Sequence, residues 1–321
     1  MKKILLINTG GTIAMSQDQT TGKVSPTSDN PIHQQGHLLQ NFADIDVLDF
    51  LNIPSPHMDL EKMLELSQLI QEKAKSYDGI VITHGTDTLE ETAYFLELTL
   101  DLPIPIVVTG AMRSSNEIGS DGLANLRSAI FTAREDHSAQ KGVLVVMNEE
   151  IHTATYVTKT HTTNLATFQT PTFGPIGILY KNQVTYFQEL IRHEHYHLTA
   201  ISQDVALLKV YAGMKADLFE AVLDHGYQGL VIEALGAGNL PPQIVPILEQ
   251  FMEAQIPVVL VSRAFNGVTE DIYDYPGGGK RLSQMGVIFT QGLSGIKARI
   301  KLAVLLNAEE KVSIKQAFQG K

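Results

Sequence analysis

Three short polar turns, each at the end of an apolar run, hold the side chains of this sequence best suited to chemistry. Lys3–Asn8 (KILLIN) leads into Thr9-Gly10-Gly11-Thr12-Ile13-Ala14, and Gly79–Thr83 (GIVIT) leads into His84-Gly85-Thr86-Asp87-Thr88. Ile104–Thr109 (IPIVVT) leads into Gly110-Ala111-Met112-Arg113. A glycine pair lets the backbone turn and approach a ligand closely, and Thr12 stands just beyond such a pair. A neutral hydroxyl is a weak nucleophile, so its attack on a carbonyl needs a base nearby and donors for the developing oxyanion. Two hydroxyls, Thr12 and Thr86, and the Asp87 carboxylate are groups of that kind. Each also has a plainer use. Thr12 can satisfy backbone groups in its turn, and Thr86, Asp87 and Thr88 can cap a helix. Their recurrence at successive strand ends is what suggests a nucleophilic site.

The elements that must position these groups follow from periodicity. The three runs above, with Gly142–Met147 (GVLVVM), are continuously apolar, as strands covered on both faces are. Helical spacing lies between them. Asp59–Ser76 puts Leu60, Met63, Leu64, Ser67, Ile70 and Ala74 on one face. Thr88-Leu89-Glu90-Glu91 reads as a capping box opening a helix over Leu89–Leu100, and Asp121 reads as the cap of Gly122–Arg134. Strands alternating with helices predict a parallel sheet flanked by helices, which binds ligands beyond its carboxyl ends.

Beyond Met147 the pattern changes. His152–Thr163 and Ile176–Phe187 suggest hairpins, and Gln188–Gln203 has no periodicity. Alternation resumes with strands at Val205–Tyr211, Gly229–Ala234, Pro257–Ser262 and Gly286–Thr290, and helices at Lys215–His225, Gln243–Ala254 and Ser294–Leu306. The expected fold class is α/β with two α/β domains. Residues 1–190 form a larger N-terminal domain with a mostly parallel sheet, flanking helices and a hairpin, and it carries Thr12. Residues 191–203 form a linker, and 204–321 a smaller C-terminal parallel α/β domain.

Composition removes several classes of function. Lys+Arg number 24 against 35 Asp+Glu in 321 residues, a net charge of −11, so no nucleic-acid partner is expected. The absence of cysteine excludes disulfides, zinc thiolates, iron–sulfur clusters and a thiol nucleophile. No membrane partner is expected, because the chain lacks an 18-residue apolar stretch. The first apolar run stops at Ile7, too soon for a signal peptide, so a cytoplasmic location is expected. His193, His195 and His197 would share one face of an extended segment, but they read as solvated linker rather than a metal site. Gly277-Gly278-Gly279-Lys280 lacks phosphate-loop spacing, and no dinucleotide fingerprint follows the first strand. Neither metal nor cofactor is expected.

Thr9–Ala14 and the stretch His84–Tyr94 (HGTDTLEETAY) closely resemble the two signature stretches of bacterial L-asparaginases, the threonine-nucleophile asparaginase/glutaminase family, in its cytoplasmic type I form. Gly110–Arg113, Gly142–Asn148, Val157–Thr160, Thr167-Phe168 and Gly236–Leu240 extend the resemblance in order across both domains. It implies that Thr12 attacks the side-chain amide carbon of L-asparagine. A β-aspartyl enzyme forms, ammonia leaves, and water releases aspartate. It further implies that Thr86 acts with Lys159 and Asp87, where Lys159 lowers the cost of a partial alkoxide and Asp87 orients and balances the lysine. Asp87 would also hold the substrate α-ammonium and Ser55 the α-carboxylate. Backbone at Gly11, Gly85 and Thr86 would surround the substrate and supply oxyanion donors, and the Ala111 carbonyl would accept from the leaving amide. Asn239 would complete a neighbouring subunit's site, which implies a homodimer or homotetramer.

The sequence departs from the family pattern at several points. Pro56 follows Ser55 where many relatives carry glutamine, which removes a donor to the carboxylate. Ser16–Lys23 reads as a mobile lid, yet no tyrosine precedes Tyr77, so the loop Met15–Asn30 cannot supply the tyrosine many relatives use to activate the nucleophile. Tyr273 from a neighbouring subunit is expected to take that part, with Tyr275 as rival. A glutamate that contacts the substrate amine in some relatives has only Glu270 near its place, out of clear register, so asparagine is favoured and glutaminase activity is expected to be weak. Two other readings stay open: an amidase of this scaffold acting on glutamine or a larger amide, and a non-catalytic amino-acid sensor. The sensor would not need Thr12, Thr86, Asp87 and Lys159 together.

Overall fold

A computed structural model describes residues 1–18, 20–26, 39–191 and 194–319. The chain divides into two compact units, Met1–His195 and Tyr196–Lys321. The first is built on β1 (Lys3–Gly10), β2 (Asp44–Ile53), α1 (Leu60–Lys73), β3 (Gly79–Thr83), α2 (Leu89–Thr99) and β4 (Ile106–Thr109). It continues through α3 (Gly122–Ala133), β5 (Val143–Met147), β6 (Glu150–Thr153), β7 (Gly177–Tyr180) and β8 (Gln183–Tyr186). Its eight-stranded sheet runs β8-β7-β6-β5-β4-β3-β1-β2. Strands β2, β1, β3, β4 and β5 are parallel, and β6, β7 and β8 are antiparallel.

Successive strand residues point to opposite faces, and both faces are covered, which is why the strands read as unbroken apolar runs. Ile4, Leu6, Val81, Val107 and Leu144 pack with Leu126, Ala129 and Ile130 of α3. Leu5, Ile7, Ile80, Ile82, Val108 and Val145 pack with Leu66 and Ile70 of α1 and Leu89, Ala93 and Leu96 of α2 on the other side. The chain leaves β1 toward β2 on one side and returns to β3 on the other. That reversal makes the carboxyl ends of β1, β2 and β3 a topological switch point, where open α/β sheets bind ligands.

Several local expectations need revision. Strand β2 is an addition to the expected elements: it is an edge strand whose DIDVLDFLNI alternation leaves much of it half-exposed, unlike the unbroken runs of the central strands. Asp59, expected as the first residue of the helical stretch, stands outside α1 and caps it, accepting from the Lys62 amide at 2.9 Å. Thr88 and Asp121 stand at helix starts without side-chain capping bonds, because both are used elsewhere. His152–Thr163 is not one hairpin. Instead β5 and β6 are joined through Asn148-Glu149, both at positive φ (51° and 64°), while Thr158-Lys159 pairs with Phe168-Gln169. The second hairpin, β7–β8, turns the same way through Lys181-Asn182 (φ 46° and 68°), the geometry that matches strand twist. Across the lid stretch, Met15–Gln17 pairs antiparallel with Val24–Pro26.

The second unit holds β9 (Val205–Lys209), α4 (Asp217–Asp224), β10 (Gly229–Ala234), α5 (Val245–Glu253) and β11 (Val258–Ser262). It ends with α6 (Gly279–Met285), β12 (Ile288–Phe289), α7 (Gly295–Asn307) and α8 (Ile314–Gln319), of which α6 and α8 add to the expected helices. Its four strands are parallel in the order β9-β10-β11-β12. The fold class is therefore α/β with a large, mostly parallel sheet followed by a smaller parallel one. No helix among the described residues is long and apolar enough to cross a membrane. His193 lies outside the described residues; His195 Nε2 is 3.5 Å from Asp101 Oδ2, and His197 Nε2 is 3.9 Å from Glu310 Oε1.

Candidate active site

Backbone contact, more than any side chain, brings the first two motifs together. Gly11 has φ 82° and ψ 179°, a region essentially reserved for glycine. A Cβ built on it would lie 2.3 Å from the Cα and N of Gly85, so the turns ahead of Thr12 and Thr86 touch main chain to main chain. A Cβ on Gly85 would in turn lie 2.7 Å from the Ser55 side chain. Three carboxyl ends thus converge, presenting Thr12, Ser55 and Thr86. A polar network that runs from exposed Asp49 to buried Asn8, Thr9 and Thr83 ties the strands beneath: Asn8 Nδ2 donates to Asp49 Oδ1 (2.6 Å), Thr83 Oγ1 to Asn8 Oδ1 (2.9 Å), and Thr9 Oγ1 to the Thr83 carbonyl (2.9 Å). The Gly11 amide donates to the Ile53 carbonyl at 3.1 Å and is therefore not free for an oxyanion.

Lys159 arrives on the Thr158-Lys159 ladder. Its ammonium donates to Thr86 Oγ1 at 2.9 Å and to Asp87 Oδ1 at 2.7 Å. The lysine side chain is only 15% exposed and the Asp87 side chain 63%, so the cation is largely enclosed while its carboxylate faces outward. Glu90 fixes this arrangement. It is buried on the first turn of α2, and its Oε1 accepts from Thr158 Oγ1 (3.1 Å) and from the Lys159 amide (2.9 Å). Glu90 Oε2 is buried without a hydrogen-bond partner among the described residues. In the sequence Glu90 reads only as part of a helix cap. No local signal reveals its role here, because its partners lie 68 and 69 residues away.

Ser55 joins the same cluster. Its Oγ accepts from the Asp87 amide at 3.2 Å, which leaves its O–H free to donate, and its carbonyl accepts from Thr88 Oγ1 at 2.8 Å. That bond is where the Thr88 hydroxyl goes in place of a helix cap. Pro56 sits within the short helical turn Ser55–His57 that begins at Ser55.

Two further groups stiffen the turns. His84 is fully buried, with Nδ1 2.7 Å from the Gly85 carbonyl and Nε2 2.9 Å from Thr92 Oγ1. Burial lowers its pKa to about 4, against the smaller opposing pull of the Gly85 carbonyl. The ring is thus neutral at pH 7, with Nδ1–H donating to Gly85 and Nε2 accepting from Thr92. Asp121, expected as a cap, instead clamps the third turn. Its carboxylate accepts from the Met112 amide (3.0 Å), the Arg113 amide (3.0 Å) and Asn125 Nδ2 (2.9 Å). Ala111, within that turn, is fully buried.

The remaining predicted residues belong to the second unit. Asn239 closes a tight turn with Leu235 after β10, and its Oδ1 accepts from the Gly279 amide at 3.3 Å. Tyr273 is 45% exposed, and its ring centroid lies 6.0 Å from that of Tyr275. The structure therefore gathers Gly11, Thr12, Ser55, Gly85, Thr86, Asp87 and Lys159 at the first sheet, and sets Asn239 and Tyr273 on the loops of the second.

A family model described as "Asparaginase, N-terminal" matches residues 3–192, and one described as "Glutaminase/Asparaginase C-terminal domain" matches residues 204–318. The chain is 37% identical to an L-asparaginase of Bacillus licheniformis over 99% of both chains. It is 33% identical to a probable periplasmic L-asparaginase of Haemophilus influenzae, over 99% of this chain and 92% of that one. A glutamyl-tRNA(Gln) amidotransferase subunit from Methanobrevibacter smithii is 32% identical over 95% of this chain and 72% of its own. Fold, polar cluster and relatives agree on one class, an amidohydrolase carried by two α/β units. The chain belongs to the asparaginase family.

Proposed function

We propose that this protein hydrolyses L-asparagine to L-aspartate and ammonia through a covalent β-aspartyl intermediate on Thr12, with weak activity on glutamine. The observation that carries the reading is the enclosed Lys159 ammonium, hydrogen-bonded to both Thr86 and Asp87, on a turn whose backbone touches the Thr12 turn. An enclosed cation stabilises negative charge at Thr86 Oγ1 far better than a solvated one. Thr12 Oγ attacks the side-chain carbonyl carbon, and the carbonyl oxygen takes up negative charge. The C–N bond then breaks as the proton given up by the Thr12 hydroxyl reaches the leaving nitrogen, and ammonia departs. Water activated at Thr86 next cleaves the ester, returning the Thr12 proton and releasing the new carboxylate. With the Gly11 amide engaged, the Thr12 and Thr86 amides take the oxyanion.

Substrate orientation follows from the same atoms. Asp87 Oδ1 holds Lys159, and its exposed side chain turns Oδ2 to the α-ammonium. The free Ser55 O–H donates to the α-carboxylate, without help from Pro56. Gly11, Gly85 and Ala111 form the backbone wall, and the Ala111 carbonyl receives the leaving amide there. Residues 1–190 carry the nucleophile, while residues 204–321 lend Asn239 and Tyr273 to a neighbouring copy in a homodimer or homotetramer. A cytoplasmic location belongs to the same proposal and is tested by cell fractionation.

The test is ammonia release from L-asparagine and L-glutamine by the wild type and Thr12→Ala. Release from asparagine that disappears in the variant, with little from glutamine, is the expected result. Equal turnover of the two amides would remove the specificity assignment, and an active Thr12→Ala the nucleophile.

A further inference from the structure

The chain leaving Thr12 enters the Met15–Gln17 strand, half of a small two-stranded ladder with Val24–Pro26. Such a ladder is marginal in water by itself, and one edge of Met15–Gln17 faces away from its partner strand. That edge is occupied. Asn116 Oδ1 accepts from the Gln17 amide at 2.8 Å, and Asn116 Nδ2 donates to the Gln17 carbonyl, also at 2.8 Å. Beside it the Ser115 amide (3.2 Å) and hydroxyl (3.0 Å) both donate to the Met15 carbonyl, and Ser115 Oγ lies 3.4 Å from Ser16 Oγ. A primary amide has the donor and acceptor of a peptide group, so Asn116 bonds the edge as a neighbouring strand would. The loop bearing it is itself tied down: Asp121 grips the Met112 and Arg113 amides, and Arg113 Nη1 donates to the Gly119 carbonyl at 3.0 Å.

We infer that Asn116 is a positioning residue for Thr12: its side-chain amide serves as the missing third strand that holds the Met15–Gln17 arm leaving the nucleophile's turn. It touches no reacting atom. Its effect runs through three residues of chain, from Gln17 back to the Thr12–Ala14 turn, and rests on the asparaginase reading only for its kinetic readout.

Two substitutions at this exposed position separate the inference from a general structural role. Asn116→Ala removes both bonds. Asn116→Asp keeps the acceptor for the Gln17 amide but sets a carboxylate against the Gln17 carbonyl. Protonation turns that oxygen into a donor and restores the pair. Arg113 and Glu117 on the loop, with Asp18 and Lys23 on the arm, are the charged neighbours, and Asn116→Ala controls for their titration. Ammonia release is measured from pH 8 to pH 5, alongside the rate of tryptic cleavage at Lys23 at pH 8. We expect kcat/KM about tenfold lower in both variants at pH 8, as the loss of two hydrogen bonds implies. We also expect faster cleavage at Lys23 with an unchanged melting temperature. The Asn116→Asp to wild-type ratio should rise several-fold toward pH 5 while the Asn116→Ala ratio stays flat. Wild-type kcat/KM in Asn116→Ala, or a flat ratio for Asn116→Asp, overturns the inference. If no form releases ammonia, the asparaginase reading fails, and the Lys23 cleavage rate alone decides whether Asn116 holds the arm: unchanged cleavage in Asn116→Ala overturns it.

Discussion

The two units carry the same kind of sheet and finish its strands in opposite ways. In the first, the segments beyond β1, β2 and β3 are cross-bonded around buried residues: Gly11 lies against Gly85, Ser55 accepts from Asp87, and His84 holds the Gly85 carbonyl. In the second, the segments beyond β9 and β11 expose apolar and aromatic side chains, among them Tyr211, Phe265, Ile272, Tyr273 and Tyr275. Buried polar groups must find partners, and once satisfied they hold one geometry, which is what chemistry requires. Exposed aromatic clusters offer contact area in place of fixed polar geometry. The same architecture therefore yields a cross-bonded polar cluster at one sheet and an exposed aromatic surface at the other.

Substitutions in each region should break that contrast differently. Thr12→Ala is expected to lower kcat by about 10⁴-fold or more with little change in melting temperature, because it deletes the proposed nucleophile and leaves the packing intact. Lys159→Met should lower kcat by about 10³-fold with a smaller change in KM, as expected for a group aimed at charge in the transition state. Steady-state kinetics separate these from loss of fold. Glu90→Ala should cost about ten- to a hundredfold in kcat through Lys159 alone. Loss of hydrogen-exchange protection at the Lys159 amide, with α2 still protected, would identify that route.

The pH dependence of stability tests the buried side further. His84 accepts a proton in the fold only near pH 4, whereas an unfolded histidine does so near 6.5. The unfolded chain thus binds more protons between those values, so stability is complete above about pH 6.5 and falls as pH drops toward 4. The fall amounts to about 3 kcal/mol. In His84→Asn, urea unfolding at several pH values should lose that slope, although the variant is less stable than wild type at pH 8. On the exposed side the effects are smallest. Tyr273→Phe should lower kcat by about tenfold if its hydroxyl activates Thr12. Ile272→Ser should weaken association of subunits by sedimentation while leaving the isolated fold unchanged. Full turnover in Tyr273→Phe would return the second sheet's loops to a purely structural part.

The covered strands were the most legible part of the molecule. Runs such as KILLIN and GIVIT can be read directly, because burial on both faces leaves no alternation to interpret. The edge strand Asp44–Ile53 is not legible in this way, since its half-exposed alternation resembles several other patterns. Polar residues at helix starts were legible as types and misleading as roles. Thr88 bonds to the Ser55 carbonyl and Asp121 to the third turn, because buried backbone groups elsewhere competed for them and capping bonds lost.

Some of the groups proposed to react were legible in the chain itself, Thr12 after a glycine pair and Thr86-Asp87 after a buried strand, whereas Lys159 alone reads as a solvated surface lysine and entered only through the family resemblance. Periodicity likewise dictated two parallel α/β units, because it depends on neighbours a few residues apart. What the linear chain did not contain was how those groups are held. Glu90 on the Lys159 amide, Asn116 on the Gln17 peptide and the contact between Gly11 and Gly85 each join residues about 70 to 100 positions apart. Hydrogen bonds and van der Waals contact act over a few ångströms in space, and sequence carries no measure of that distance until the sheet has set its order.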